Sequence, residues 1–157
     1  MRICIDSNQF IFGIGGTDPT SETLMSLLPG LEVVLPRLVI KEVSRNLTES
    51  QTKTFFSLMN KASQIKIVEE PVPVEMVQKY VDLGLREKAD AFIGAFVEWQ
   101  GAKYLISDNR HFLSELSGAA FEVLSPEEFL YRHRIGIMEF QTYRQYKSDK
   151  KLGRKVM

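Results

Sequence analysis

The sequence predicts an α/β fold in which a twisted parallel sheet of four to five short strands lies between two layers of helices, three layers in all. Three observations predict it. Up to about residue 130, short apolar runs alternate with longer segments whose apolar residues recur at three- and four-residue steps, the pattern of parallel strands joined by helical crossovers. Runs such as Ile3-Cys4-Ile5 and Tyr104-Leu105-Ile106 are apolar at every position and too short for helices, as strands buried on both faces are. Both runs stop at polar triplets, Asp6-Ser7-Asn8 and Ser107-Asp108-Asn109, and the carboxyl ends of strands are where open α/β sheets bind ligands.

In chain order, Ile3 to Ile5 is the first strand, and Phe10, Ile11 and Phe12 keep the next segment buried until Gly13, Gly15 and Gly16 loosen it into a loop. Asp18 and Pro19 start a helix as capping carboxylate and N1 proline. Leu24, Leu27 and Leu28 form its inward face, and Pro29-Gly30 ends it. Leu31 to Leu35 is a second strand. A helix after Pro36 carries Val39, Val43 and Leu47 one turn apart, and Phe55, Leu58, Met59 and Ala62 mark the next. Ile65, Ile67 and Val68 form a candidate strand, Pro71 and Pro73 an extended linker, and Val74 to Leu85 a helix broken near Gly84. Ala89, Phe92, Ile93, Phe96, Val97 and Gln100 give the following helix an apolar stripe, with Gly101 closing it as a C′ residue. Tyr104 to Ile106 is a strand, Arg110 to Leu116 a short helix or turn, and Phe121 to Leu124 the last strand. Ser125-Pro126-Glu127-Glu128 then opens a final helix.

A chain of 157 residues is long enough to bury roughly two-thirds of its unfolded surface without disulfides or structural metal. Cys4 is the single cysteine and reads as a small core residue of a protein from a reducing, cytoplasmic setting. The short apolar run before Asp6 suits neither a secretory signal nor a membrane span. Net charge is zero, but unevenly spread: residues 131 to 157 hold eight Lys or Arg against two acids, and residues 1 to 130 twelve against eighteen. The reading is therefore a domain over 1–130 and a basic extension over 131–157, whose net positive charge, mixed with Phe140, Tyr143 and Tyr146, suits a phosphate backbone.

Four acids stand where that topology would gather them. Asp6 and Asp108 follow strands, and Glu42 and Asp90 sit early in helices. Taken singly, Asp90 is a first-turn carboxylate favoured by the helix dipole and Glu42 a solvated glutamate. Taken together they would share one cleft at the carboxyl edge of the sheet. Two charges about 4 Å apart repel by roughly 4 kcal/mol at an effective dielectric near 20. Mutual repulsion would raise the acids' pKa values in the absence of cations, and a hard divalent ion would relieve it and raise the melting temperature. An all-oxygen site with no clustered Cys or His suits Mg²⁺ or Mn²⁺ rather than zinc. Such an ion acts on phosphates, activating water and neutralising phosphoryl oxygens.

These residues resemble those of the PIN-domain family, the VapC-like, Mg²⁺- or Mn²⁺-dependent ribonucleases that include the toxins of many toxin–antitoxin pairs. Asp6-Ser7-Asn8 is similar to the family's opening motif. Glu42, in VVLPRLVIKEVSRNL, resembles its second acid, and Asp90, in KADAFIGAFVEWQGAKYLIS, its third. Leu124-Ser125-Pro126-Glu127-Glu128-Phe129 resembles its last strand and helix start, so the likeness covers about residues 1 to 130. The family's pattern after the fourth strand would place Asn109 at the last acid position. The charge is on Asp108, and the fourth carboxylate is assigned there with Asn109 beside it.

The resemblance implies hydrolysis of RNA phosphodiester bonds, with Asp6, Glu42, Asp90 and Asp108 as catalytic and metal-holding acids and Ser7, Asn8, Ser107 and Asn109 as their hydrogen-bond partners. It implies single-stranded or structured RNA as substrate, gripped by Lys41, Arg45, Lys88 and Arg110. An antitoxin protein and a second copy of the chain are the implied partners. His111 reads as structural or exposed, since metal-activated water makes a histidine base unnecessary. The alternative is a catalytically degenerate PIN module that binds RNA or a protein. A haloacid-dehalogenase-like phosphatase, whose nucleophilic Asp also ends a first strand, needs a second Asp where Asn8 stands.

Overall fold

The computed structural model describes residues 1–62 and 64–133. Five strands form one sheet: β1 (Arg2–Ile5), β2 (Glu32–Pro36), β3 (Ile65–Val68), β4 (Tyr104–Ile106) and β5 (Glu122–Leu124). All neighbours are parallel, in the order β3-β2-β1-β4-β5. Ile3, Cys4, Ile5, Val33, Val34, Leu35, Leu105 and Ile106 are buried, as strands covered on both faces require.

The order follows from the connections. Helices α1 (Ser7–Ile14) and α2 (Pro19–Leu27) join β1 to β2, and α3 (Arg37–Asn46) and α4 (Glu49–Lys61) join β2 to β3. The chain then returns past β1 through α5 (Val74–Asp82) and α6 (Lys88–Trp99) to reach β4. Right-handed crossovers put α1 to α4 on one face of the sheet and α5 and α6, which run in the reverse direction, on the other. Accordingly α1 packs against α2, α3 and α4, and α5 against α6. The direction of winding changes between β1 and β4, which makes their carboxyl ends the crevice of the sheet.

Two expectations change. The helix that Asp6 caps by accepting from the Ser7 N–H runs through Gly13 to Ile14, where a loop was expected to begin at Gly13. Gly13 serves helix packing instead: a Cβ there would lie 2.6 Å from Met25 Cγ and 2.8 Å from the Ser21 carbonyl oxygen. The stripe on α6 is also wider than predicted. Ala89 is exposed and Phe92 half-buried, while Ala91, Ile93, Gly94, Ala95, Phe96 and Val97 are all buried. A helix covered by both a sheet and a neighbouring helix hides most of its circumference, so it loses the one-sided pattern.

The chain divides into two units, Met1–Pro126 and Glu127–Met157. In the second, the described residues belong to helix α7 (Pro126–His133), where Arg132 pairs with Glu128 at 3.2 Å and the His133 ring stacks on Phe129. The basic extension assigned to 131–157 lies outside the described residues beyond His133. Among the described residues no helix is long and apolar enough to cross a membrane.

Candidate active site

The crevice is lined from its two flanking strands. Past β1, the Asp6 N–H still donates to the Ile106 carbonyl, and past β4 the Ser107 N–H donates to Leu124. Asp6 and Ser107 are thus held side by side as continuations of the sheet, and both are buried. Ser107 Oγ donates to Asp6 Oδ2 at 2.8 Å, and the Ser7 N–H donates to Oδ1 at 2.8 Å.

Two arms extend from this centre. On one, Ser7 Oγ donates to Glu42 Oε2 at 2.7 Å, so a single residue bridges Asp6 and Glu42 through its amide and its hydroxyl. On the other, Ser107 Oγ accepts from the Asn109 N–H at 3.0 Å, and Asn109 Nδ2 donates to Asp90 Oδ1 at 3.4 Å. Glu42, Ser7, Asp6, Ser107, Asn109 and Asp90 therefore form one hydrogen-bonded arc drawn from β1, α1, α3, α6 and the turn after β4.

Burial dominates the electrostatics. It pushes the Asp6 carboxyl up to about 6 despite the hydrogen bonds from Ser107 and Ser7 that favour its charge, and the charges of Glu42 and Asp90 add to the rise. Asp90 is also raised, first by burial. His111 opposes that rise, while Glu87 and Glu42 reinforce it. The direction expected from the sequence holds for both groups, but the main cause is loss of water, with repulsion between acids secondary.

Asp108 does not join the arc as the fourth acid. Its residue is exposed, and Asn109 is the one that reaches Asp90. Among the described residues no three Asp, Glu, His or Cys side chains come close enough to hold one ion between them. Asn8 is half-buried in the first turn of α1. Lys41, Arg45, Lys88 and Arg110 are all exposed. His111 is tied to this region at its backbone, donating to Asn109 Oδ1 at 2.9 Å, while its ring meets Glu115 at 2.6 Å. The hydrogen bond and charge of that carboxylate raise the imidazole's pKa. Sequence reasoning passed over Glu87; its signal was its place one helical turn before Asp90.

No family model matches the sequence, and no curated protein does. Solved structures do. VapBC2 from Rickettsia felis, bound to a DNA fragment from its promoter, superposes with a TM-score of 0.56 at 14% identity, covering 80% of this chain and 98% of that one. PAE2754 from Pyrobaculum aerophilum gives 0.55 at 18% identity over 84% and 94% of the two chains. The fold is that of a PIN domain. FitAcB from Neisseria gonorrhoeae shares it as well, with a TM-score of 0.52 at 18% identity over 79% and 97%. At such identities the likeness is one of fold, and the chemistry rests on this chain's own residues.

Proposed function

We propose that the protein is a Mg²⁺- or Mn²⁺-dependent ribonuclease that hydrolyses RNA phosphodiester bonds, acting as the toxin of a toxin–antitoxin pair. The observation that carries the reading is the bridging of Asp6 and Glu42 by Ser7 at the point where the sheet changes direction. Likeness to VapBC2 and FitAcB supports the toxin assignment and an antitoxin partner.

The donors suit such an ion in kind, since every candidate atom is a hard oxygen. They also suit it in number: Mg²⁺ is bound through one or two carboxylates and keeps several waters, so a cage of three acids is not required. Each Asp6 oxygen accepts one hydrogen bond and has a lone pair to spare. Asp6 and Asp90 would hold the ion. When bound, it supplies a Lewis acid to the phosphoryl oxygens and eases deprotonation of water.

The chain's own residues do the rest. Ser7 and Ser107 fix the Asp6 carboxylate so that neither oxygen swings on binding. Glu42, held by Ser7 Oγ, orients the attacking water. Asn109 takes the place assigned to Asp108 and steadies Asp90 as a neutral amide. Lys41, Arg45, Lys88 and Arg110 supply cations for the phosphate backbone.

Purified protein is expected to cut single-stranded RNA with Mn²⁺, to stop in chelator, and to lose about a hundredfold in rate as Asp90→Asn. Ser7→Ala, which frees Glu42 but leaves the amide contact to Asp6, is expected to cost about 10- to 100-fold in Mn²⁺ affinity by calorimetric titration. An affinity equal to wild type would remove Ser7 from the site. A second reading, a module that binds RNA without cutting it, is favoured by the neutral Asn109 beside Asp90. Wild type that binds RNA but leaves it intact with Mn²⁺ would select it.

A further inference from the structure

None of Asp6, Glu42 and Asp90 lines an open groove that runs along α3 and α4. A cavity of about 900 Å³ between α3 and α4 is lined by Ser44, Thr52, Phe56, Asn60 and Lys61 among others. A second, of about 390 Å³, adjoins it, sharing Ser44 and Phe56 and adding Lys41, Arg45 and Ile67. Phe56 stands where the two meet.

We propose that this groove is the track along which single-stranded RNA lies, with Phe56 stacking on a base and Lys41, Arg45 and Lys61 holding phosphates to either side. The proposal rests on the ribonuclease reading and extends it to the substrate's form and path. Phe56 is 41% exposed, yet its ring is braced: it meets Phe55 at 5.3 Å, and the fully buried Phe55 meets Phe10 of α1 edge-on at 5.4 Å. A ring fixed from beneath and open above is a stacking platform that loses little freedom on binding.

The charges complement a polyanion. Arg37 and Lys53 are occupied by Glu69 and Glu49, whereas Lys41, Arg45 and Lys61 are exposed and form no ion pair among the described residues. Lys41 and Arg45 line the smaller cavity and Lys61 the larger, where Glu49 is the one acid among the described lining residues, on a body with more acids than bases. Lys41 and Arg45 also flank Glu42 on α3, which links the groove to the acids through one rigid helix. Phe56 sits beside the apolar Leu47, Ile40 and Ile67 and among Ser44, Thr52 and Asn60, whose hydroxyls and amide can meet a 2′-hydroxyl as donor or acceptor.

The test is fluorescence anisotropy with a labelled twelve-nucleotide RNA of mixed sequence in chelator, so that nothing is cut. Phe56→Ala is expected to weaken binding about tenfold or more, with Phe56→Trp at wild-type affinity or tighter. Lys41→Gln with Arg45→Gln is expected to flatten the slope of log affinity against log salt by about 1.4. DNA of the same sequence and duplex RNA should bind several-fold more weakly. Affinity of Phe56→Ala within twofold of wild type, with an unchanged melting curve, would overturn the track and leave the groove to a protein partner. Equal binding of the DNA or the duplex would overturn it too. Phe56-dependent binding by a wild type that never cuts with Mn²⁺ would sink the hydrolytic reading alone.

Discussion

Asp6→Asn is expected to cut the rate of RNA hydrolysis by two to three orders of magnitude and, near neutral pH, to make the metal-free protein more stable. Removing one preorganised electrostatic group from a reacting centre costs about that much in rate. The stability follows from burial. In the folded protein the Asp6 carboxyl titrates at about 6 rather than at its ordinary 3.8, so the fold binds its proton more tightly than the unfolded chain does. The penalty for the charge is absent below the ordinary value, grows as pH rises through the interval, and is complete above about 6. A shift of that size corresponds to roughly 3 kcal/mol.

Asparagine carries no charge to desolvate, but its amide would face Ser107 Oγ, which now donates to Asp6, and turning that hydroxyl costs about 1 kcal/mol. The gain left over is about 2 kcal/mol, or roughly 4–8 °C in a domain of this size. Scanning fluorimetry at pH 4, 6 and 8 should show the two proteins close at pH 4 and the variant ahead at pH 8. Millimolar Mg²⁺ should raise the melting temperature of the wild type but not of Asp6→Asn. A variant that melts below wild type at pH 8 would mean that the carboxylate is held mainly by its hydrogen bonds, against the dominance of burial.

The sheet was legible because parallel strands covered on both faces leave uninterrupted apolar runs, as Ile3 to Ile5 and Tyr104 to Ile106 do. Gly101 was legible for a different reason: it ends α6 at φ 66°, a conformation that favours glycine. The faces of α6 were not, since burial on several sides erases the periodicity from which a face is read. Nor was the place of Asn109 rather than Asp108 legible. Strand β4 ends at Ile106, and in the turn beyond it the Asn109 N–H donates to Ser107 Oγ and its amide reaches Asp90, while Asp108 is exposed. Charge drew the assignment to Asp108, while geometry placed the neutral residue at the site. The raised pKa values were foreseen in direction, but burial is a property of the assembled tertiary structure, and only the nearness of the acids to one another could be read from topology.

Gly84→Ala is expected to be the most damaging small substitution in the body of the domain, with a cost of about 3 to 5 kcal/mol. Gly84 follows α5 with φ 121°, a region nearly closed to side chains, and holding alanine there costs about 1–3 kcal/mol. A Cβ at this position would also collide with the carbonyl oxygen of Glu115, a backbone atom that cannot rotate aside, and overpacking adds about 1–3 kcal/mol. The segment struck is the single turn His111–Glu115, tied to the end of α5 by the Ser117 N–H bond to Leu83. That turn begins two residues after Asn109, and its His111 N–H donates to the Asn109 side-chain oxygen. Displacing it would loosen the amide that steadies Asp90, so activity should fall further than stability alone explains. Thermal melts should show a loss of roughly 6–20 °C, and the rate should stay reduced at temperatures where the variant is fully folded. A variant with wild-type melting would mean that the turn yields freely, and then Asn109 could not owe its position to it.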